Sequence, residues 1–401
     1  MSYNQIMTDK ENEANKYTHA LAKRLGIGRN SLCFCASGKK FKRCHCFNSE
    51  NDLAFLEDEL NTLIAYKDSQ EGYLGDIPRG IWKKFEQAAL NNFTCLYPGC
   101  SGKAINSHLI PKNILASNYG GHCAIYKIDD VLKTWQFVKA GIGKDAALSV
   151  FCKKHDNDLF KKIDDLNIDF SSSEQLFLIA FKEIGFSFRK TQYLLNLDSH
   201  VEMFKQFYIQ KTQNLPPGSN VTIDLSYFHG QYIRYIAVNE FWQKSVSALE
   251  KKDWNFFSHF NRSISYTKPL FFAAFLNPSH DLNGQKINTT GKAIAMTCTI
   301  FTKDGFLNVV MSCPDKTSTG AYQKFFQQLA SVDDEVFITV INNILTMSAE
   351  EIILSENFSL TQDELDKINN ARTLPAQALI SPDIIFDLKN SDQAVKFITL
   401  I

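Results

Sequence analysis

Cysteine and histidine gather at close spacing in two stretches of this chain. In GRNSLCFCASGKKFKRCHCF, Cys33 and Cys35 stand two apart, and nine residues on come Cys44, His45 and Cys46 in succession. Two thiolates from one tight turn and two donors from another can close a tetrahedron around Zn²⁺. A segment this short has almost no core, so the ion would supply its folding energy. In the second stretch Cys95 and Cys100 bracket LYPG, a Pro/Gly turn that suits a zinc knuckle, and FCKKHDNDLF later places Cys152 and His155 three apart, as a ligand pair at the opening of a helix. Cys95, Cys100, Cys152 and His155 therefore make a Cys₃His set for a second structural zinc.

The first stretch resembles the SEC-C motif, the zinc-binding tail of the SecA translocase ATPase, whose pattern is close to GRNDPCPCGSGKKYKKCHG. The resemblance implies Cys33, Cys35, Cys44 and His45 as ligands. Cys46 stands where that family usually has Gly, which keeps His45 and Cys46 both open as the fourth donor. Lys39, Lys40, Lys42 and Arg43 lie on the intervening loop and form, with Lys23, Arg24 and Arg29, a local basic patch. In the family the module binds partner proteins and touches the ribosome, so a protein, ribosome or nucleic-acid contact is implied here.

Around the second set lie two further groups. His108, in KAINSHLIPKN, follows the second knuckle cysteine by eight residues, where a hairpin strand would carry it back over the helix that starts at Cys152; Asp156 directly follows the last ligand. This order resembles the zinc-bearing HNH, or ββα-metal, nucleases. The resemblance implies His108 as general base and Asp156 as ligand to a catalytic Mg²⁺ or Mn²⁺, with Asn157 and Asp158 as helpers. Phosphodiester hydrolysis needs such parts: a neutral imidazole to take a proton from water, and a hard cation on oxygen ligands to stabilise charge at the phosphate. Two positions depart from the family. Ser107 stands where a second metal ligand, Asp or His, is usual, and roughly forty residues separate His108 from Cys152, about twice the compact spacing. Insertions of that kind cost little free energy. The SH-x-x-x-K and FC-x-x-HD-x-x-LF pattern also resembles bacterial proteins of toxin-like or phage-defence character. The rival reading is a zinc-stabilised binding protein without chemistry, with His108 satisfying a hydrogen bond and Asp156 capping a helix.

The elements that must position these residues follow from apolar spacing. Residues 1–28 carry a short N-terminal helix pattern, 29–47 the zinc knot, and 51–92 a helical connector. A treble-clef ββα zinc domain is expected over 93–170 and a helical region over 171–255, the latter interrupted at Pro216, Pro217 and Gly218. An α+β C-terminal domain fills 260–401. Its strands are predicted at LFFAAFL (270–276), AIAMTCTIF (293–301) and FLNVVMSC (306–313), with helices near 319–330 and 335–347. The fold class is thus α+β.

Composition narrows the rest. The 401 residues are 44% hydrophobic, enough for two or three cored domains, so the chain is no disordered adaptor. Lys and Arg number 43, as do Asp and Glu, so any nucleic-acid surface has to be local. The polar N-terminus and the lack of a long apolar run point to the cytoplasm, where closely spaced cysteines bind metal rather than pair. No Walker loop, Rossmann glycine fingerprint or nucleophile elbow is present. His122 and Cys123 lie off the knuckle spacing. Cys298 and Cys313 read as buried thiols, the His280-Asp281 pair as a turn, and the 32 phenylalanines as core.

Overall fold

The computed structural model describes most of the chain from Phe93 onward, except 110–117, 129–134, 143–146, 165–167, 214–225, 288–295, 315–319, 349–351, 381–387, 400–401 and a few single positions. Before Phe93 it describes Ala22, residues 27–33 and residues 39–41. The predicted N-terminal helix and the 51–92 connector thus fall almost wholly outside the described residues. Nine strands and six helices follow one another within the described part: β1 (Asn106–His108), β2 (His122–Ile128), β3 (Trp135–Gly141), β4 (Ala147–Ser149), α1 (Lys153–Asp164), α2 (Ser173–Gln213), α3 (Ser226–Lys251), β5 (Phe257–Ser265), β6 (Leu270–Leu276), β7 (Met296–Lys303), β8 (Phe306–Pro314), α4 (Ala321–Ser331), α5 (Asp334–Met347), β9 (Ile352–Leu354) and α6 (Gln362–Ile380). The fold is mixed helix and sheet.

The chain divides into two compact units, one of Met1–Phe93 with Phe188–Glu240 and one of Thr94–Ser187 with Phe241–Ile401. In the first, a tight hairpin is closed by Cys33 N–H donating to Lys39 O at 2.8 Å and Phe41 N–H donating to Ser31 O at 2.8 Å. The Tyr232 hydroxyl of α3 donates to Leu32 O at 2.9 Å, anchoring that hairpin.

The second unit is built on a seven-stranded antiparallel sheet in the order β3-β2-β9-β6-β7-β8-β5. One face packs Phe272, Cys298, Ile300, Val309 and Met311 against Tyr322 and Phe325 of α4 and Phe337, Ile341 and Leu345 of α5. Because the other face is covered too, β6, β7 and β8 are buried along nearly their whole length: β6 is an unbroken apolar run, and β7 and β8 bury Thr297, Thr299, Thr302, Asn308 and Ser312 between apolar residues. There Glu183 of α2, 1% exposed, accepts hydrogen bonds from Thr299 Oγ1 and from Cys298 N–H. Cys298 and Cys313 are fully buried.

Strands β2 and β3 fall between His108 and Cys152 in sequence, yet they extend this sheet, β2 pairing through Ala124 and Ile125 with Leu354 and Ile353 of β9. Within the long spacer, β2 and β3 pair antiparallel and add an edge to the sheet. Tyr119, just before it, is buried and donates to Ile353 O at 3.0 Å, and Asn118 donates to Thr302 O at 2.9 Å.

Gly185 of α2 marks where two aromatic rings press against a helix. A Cβ there would come within 3.0 Å of Phe151 Cζ and 3.3 Å of Trp242 Cζ3. Gly185→Ala is therefore expected to destabilise by about 1–3 kcal/mol through overpacking, despite the better helix propensity of Ala. Denaturant melts check it; a stabilised variant would contradict the packing.

His259 of β5 provides a pH-dependent term. Its Nδ1 lies 2.8 Å from Ser312 Oγ, its Nε2 is buried without a hydrogen-bond partner, and burial pulls its pKa down from 6.5 to about 4. The unfolded chain takes up this proton first, so the contribution is intact above about pH 6.5 and is lost as pH falls towards 4, on the order of 3 kcal/mol in all. Chemical denaturation at pH 7 and pH 4.5 should show a steeper acid loss in the native chain than in His259→Gln.

Candidate metal centre

The second Cys/His set converges. The ligand atoms of Cys95, Cys100, Cys152 and His155 all lie within 4.8 Å of one another. Cys95 Sγ is 3.4 Å and Cys152 Sγ 3.3 Å from His155 Nδ1, and Cys100 Sγ is 3.9 Å from Cys152 Sγ. A tetrahedron with Zn–S bonds of about 2.3 Å has edges of about 3.8 Å, so the four donors are spaced to share one zinc ion. Asp and Glu are absent from the cluster, which matches a soft, structural site better than a hard one.

Local backbone chemistry sets each donor. Thr94 and Lys103 form an isolated antiparallel bridge, Cys95 N–H donates to Gly102 O at 2.8 Å, and Cys100 N–H donates to Tyr97 O at 3.1 Å. These bonds close the knuckle, with Gly99 at φ 70 taking the left-handed turn position. The knuckle is tied to the next element by Leu96 N–H donating to Val150 O at 3.0 Å and Ile105 N–H to Phe151 O at 2.8 Å. Phe151 and Phe160, both fully buried, pack edge-on beneath α1, which Lys182 of α2 holds through an ion pair with Asp164 at 3.1 Å. Burial pushes the Cys95 thiol up to about 11, whereas the backbone N–H of His155 chiefly draws the Cys152 thiol below its usual range. Zinc binding has to expel the Cys95 proton, so affinity falls in acid.

Two contacts at this centre were not singled out in the sequence. Tyr97, inside the knuckle turn, stacks on the His155 ring at 4.0 Å between centroids. Gly102 lies against Cys100 and Cys152, and its N–H points to Cys100 Sγ at 3.4 Å. The aromatic in LYPG was the available signal for the first; nothing in the local sequence marks the second.

His108 ends β1, which pairs antiparallel with β4 in the register His108 to Ala147, and β4 leads through Val150 and Phe151 into α1. Its Nε2 lies 3.0 Å from Ile142 O, at the end of the inserted hairpin. Ser107, 2% exposed, turns inward and donates to Ile105 O at 3.4 Å. Asp156 lies on the first turn of α1, half-buried, and its Oδ1 is buried without a hydrogen-bond partner. Asn157 and Asp158 are exposed on the same helix.

Of the first set, Cys33 is buried at the hairpin and Lys39 and Lys40 are exposed. Cys35, Cys44, His45, Cys46, Lys42 and Arg43 lie outside the described residues. Cys123 is buried and contacts Ala140 O at 3.7 Å; neither it nor His122 joins the cluster. Asp281 accepts from the N–H groups of Asn283 and Gln285 at 2.9 Å, so the His280-Asp281 pair serves its own turn.

Compared with known proteins, residues 29–45 match the SEC-C motif. No curated protein and no solved structure matches the chain. Among the described residues no helix is long and apolar enough to cross a membrane. A motif of a zinc-binding type at 29–45 and a Cys₃His cluster that could hold zinc both point to metal binding.

Proposed function

We propose that this chain is a metal-dependent nuclease of HNH type. In this reading one zinc at Cys95, Cys100, Cys152 and His155 staples a treble-clef ββα unit together, and His108 and Asp156 supply the chemistry. The observation that carries it is the environment of Asp156: a carboxylate oxygen buried without a partner, one residue past a zinc ligand, on the helix that follows the strand paired with His108. A buried carboxylate oxygen without a hydrogen bond is costly unless a cation or water meets it. Asp156 is the residue that would hold Mg²⁺ or Mn²⁺, with water and phosphate oxygens completing its shell, and the ion would stabilise charge at the scissile phosphate.

His108 is suited to the proton-taking role. When Nε2–H donates to the Ile142 carbonyl, the tautomer is fixed and Nδ1 is left as the acceptor for a water proton. Exposed Lys153 and Lys154, next to His155, add positive charge for a phosphate backbone. The SEC-C module, with Lys39 and Lys40 on its surface, would dock a protein partner, the ribosome or nucleic acid.

Ser107 favours a second reading, a zinc-stabilised binding protein without catalysis. The position that the HNH family fills with a second metal ligand is here buried and turned to a backbone carbonyl. Incubation with plasmid DNA and with total RNA in Mg²⁺, Mn²⁺ or EDTA, beside His108→Ala, separates the two. Metal-dependent cutting lost in the variant supports the nuclease. Intact substrates in every metal, from protein carrying its full zinc, end that reading in favour of the binding protein.

A further inference from the structure

We propose that Cys100 and Cys152 are a modification site: a peroxide closes them into a reversible disulfide, while Cys95 stays reduced and the zinc leaves. This rests on the Cys₃His cluster and not on any hydrolytic activity.

Three thiols share the site, and the structure distinguishes them. Cys95 is only 5% exposed, and its sulfur, 3.4 Å from His155 Nδ1, also lies near those of Cys100 and Cys152, so burial is what sets it apart. Cys100 and Cys152 are each only partly buried, and their sulfurs face one another at 3.9 Å. Gly102 decides what covers them. A Cβ at that position would stand 3.4 Å from Cys100 Sγ and 3.8 Å from Cys152 Sγ, in van der Waals contact with both sulfurs. Access and thiolate character govern which cysteines oxidise, and zinc keeps its sulfur ligands in thiolate form.

The chemistry balances with hydrogen peroxide as oxidant. One thiolate attacks the peroxide and breaks its O–O bond, giving a sulfenic acid and hydroxide. The second thiolate attacks the sulfenic sulfur and expels another hydroxide. Two protons convert both hydroxides to water, the two sulfurs give up two electrons, and the peroxide accepts them. Zinc retains only Cys95 and His155 and dissociates. A thiol reductant returns both thiolates, and the ion rebinds.

The disulfide would link the knuckle to the residue just before α1 and remove the ion that ties His155 to the knuckle. Oxidation would thus unfasten the centre without breaking the chain's main core.

The test uses the full zinc-loaded chain, graded hydrogen peroxide, a chromogenic chelator for released zinc, and mass spectrometry of unreduced peptides. The expected result is loss of one zinc per chain in step with a peptide cross-linked through Cys100 and Cys152, with Cys95 alkylatable and zinc binding restored by a thiol. Cross-links through Cys95, or oxidation of the first Cys stretch while Cys100 and Cys152 stay reduced, would overturn the proposal. Gly102→Ala, which leaves the four donors and the Gly102 backbone hydrogen bonds in place, should keep its zinc and form the cross-link more slowly. An unchanged rate in a zinc-replete variant would also overturn it.

Discussion

Cys152→Ser is expected to lose the zinc of the second site and to release α1 and the β1–β4 pair from the fold. Cys152 is the residue at which the strand paired with β1 becomes the ligand helix, and its sulfur contacts both Cys100 Sγ and His155 Nδ1. A hydroxyl is a poor substitute for a thiolate on zinc, and the remaining donors would include the buried Cys95, whose thiol resists ionisation. Structural zinc in isolated finger peptides binds with about 10–16 kcal/mol, which is folding free energy where no other core exists. The sheet, its α4 and α5 cover and the Glu183 contact form a core of their own, so the effect should concentrate near the site. Hydrogen exchange should show protection lost over 94–109 and 147–164 and kept over β6, β7 and β8. Native mass spectrometry should find one zinc fewer, whereas Cys123→Ser should keep it. Full zinc content in Cys152→Ser would refute the ligand set.

His108→Ala separates the chemical role from the structural one. A general base contributes typically about 10²–10⁴ in rate, so cutting of plasmid or RNA should fall by that factor. Zinc content should not change, because His108 is outside the Cys₃His cluster. Loss of the bond to Ile142 O should cost only about 1 kcal/mol. His108→Gln sharpens the test, since its amide N–H can still reach a carbonyl but cannot take a proton at neutral pH. Activity lost in both variants with stability kept in His108→Gln is the expected pattern. Activity retained in His108→Ala would remove the imidazole from the mechanism.

Much of the C-terminal architecture was visible along the chain. LFFAAFL and FLNVVMSC lie on β6 and β8, MTCTIF of the middle run lies on β7 while 293–295 fall outside the described residues, and the two helices after them fall within a few residues of α4 and α5. Strands buried on both faces are rich in apolar residues, even where β7 and β8 bury Thr, Asn and Ser, and helices that cover them carry period-3.6 stripes. β5 escaped notice: as an edge strand its FSHFNRSIS holds Ser, His, Asn and Arg among the buried Phe257, Phe260 and Ile264. β9, three residues long, is too short to show a period. HCAIYKI and WQFVKAG pair with each other, but their place in the sheet comes only from distant pairing with Ile353 and Leu354.

Cys95, Cys100, Cys152 and His155 were readable as one metal set because zinc constrains both residue type and local spacing, and two pairs at knuckle and helix-start intervals leave few other uses. The sequence by itself thus determined which four side chains of the second set converge, the α+β character and the place of the main strands. Tertiary structure alone decided that the spacer after His108 carries a strand pair extending the sheet, that Ser107 turns inward, and that Asp156 keeps a buried oxygen unmatched. Those outcomes depend on which chain segments meet across tens of residues. Burial and hydrogen bonding are properties of the meeting, and neither partner carries them before it occurs.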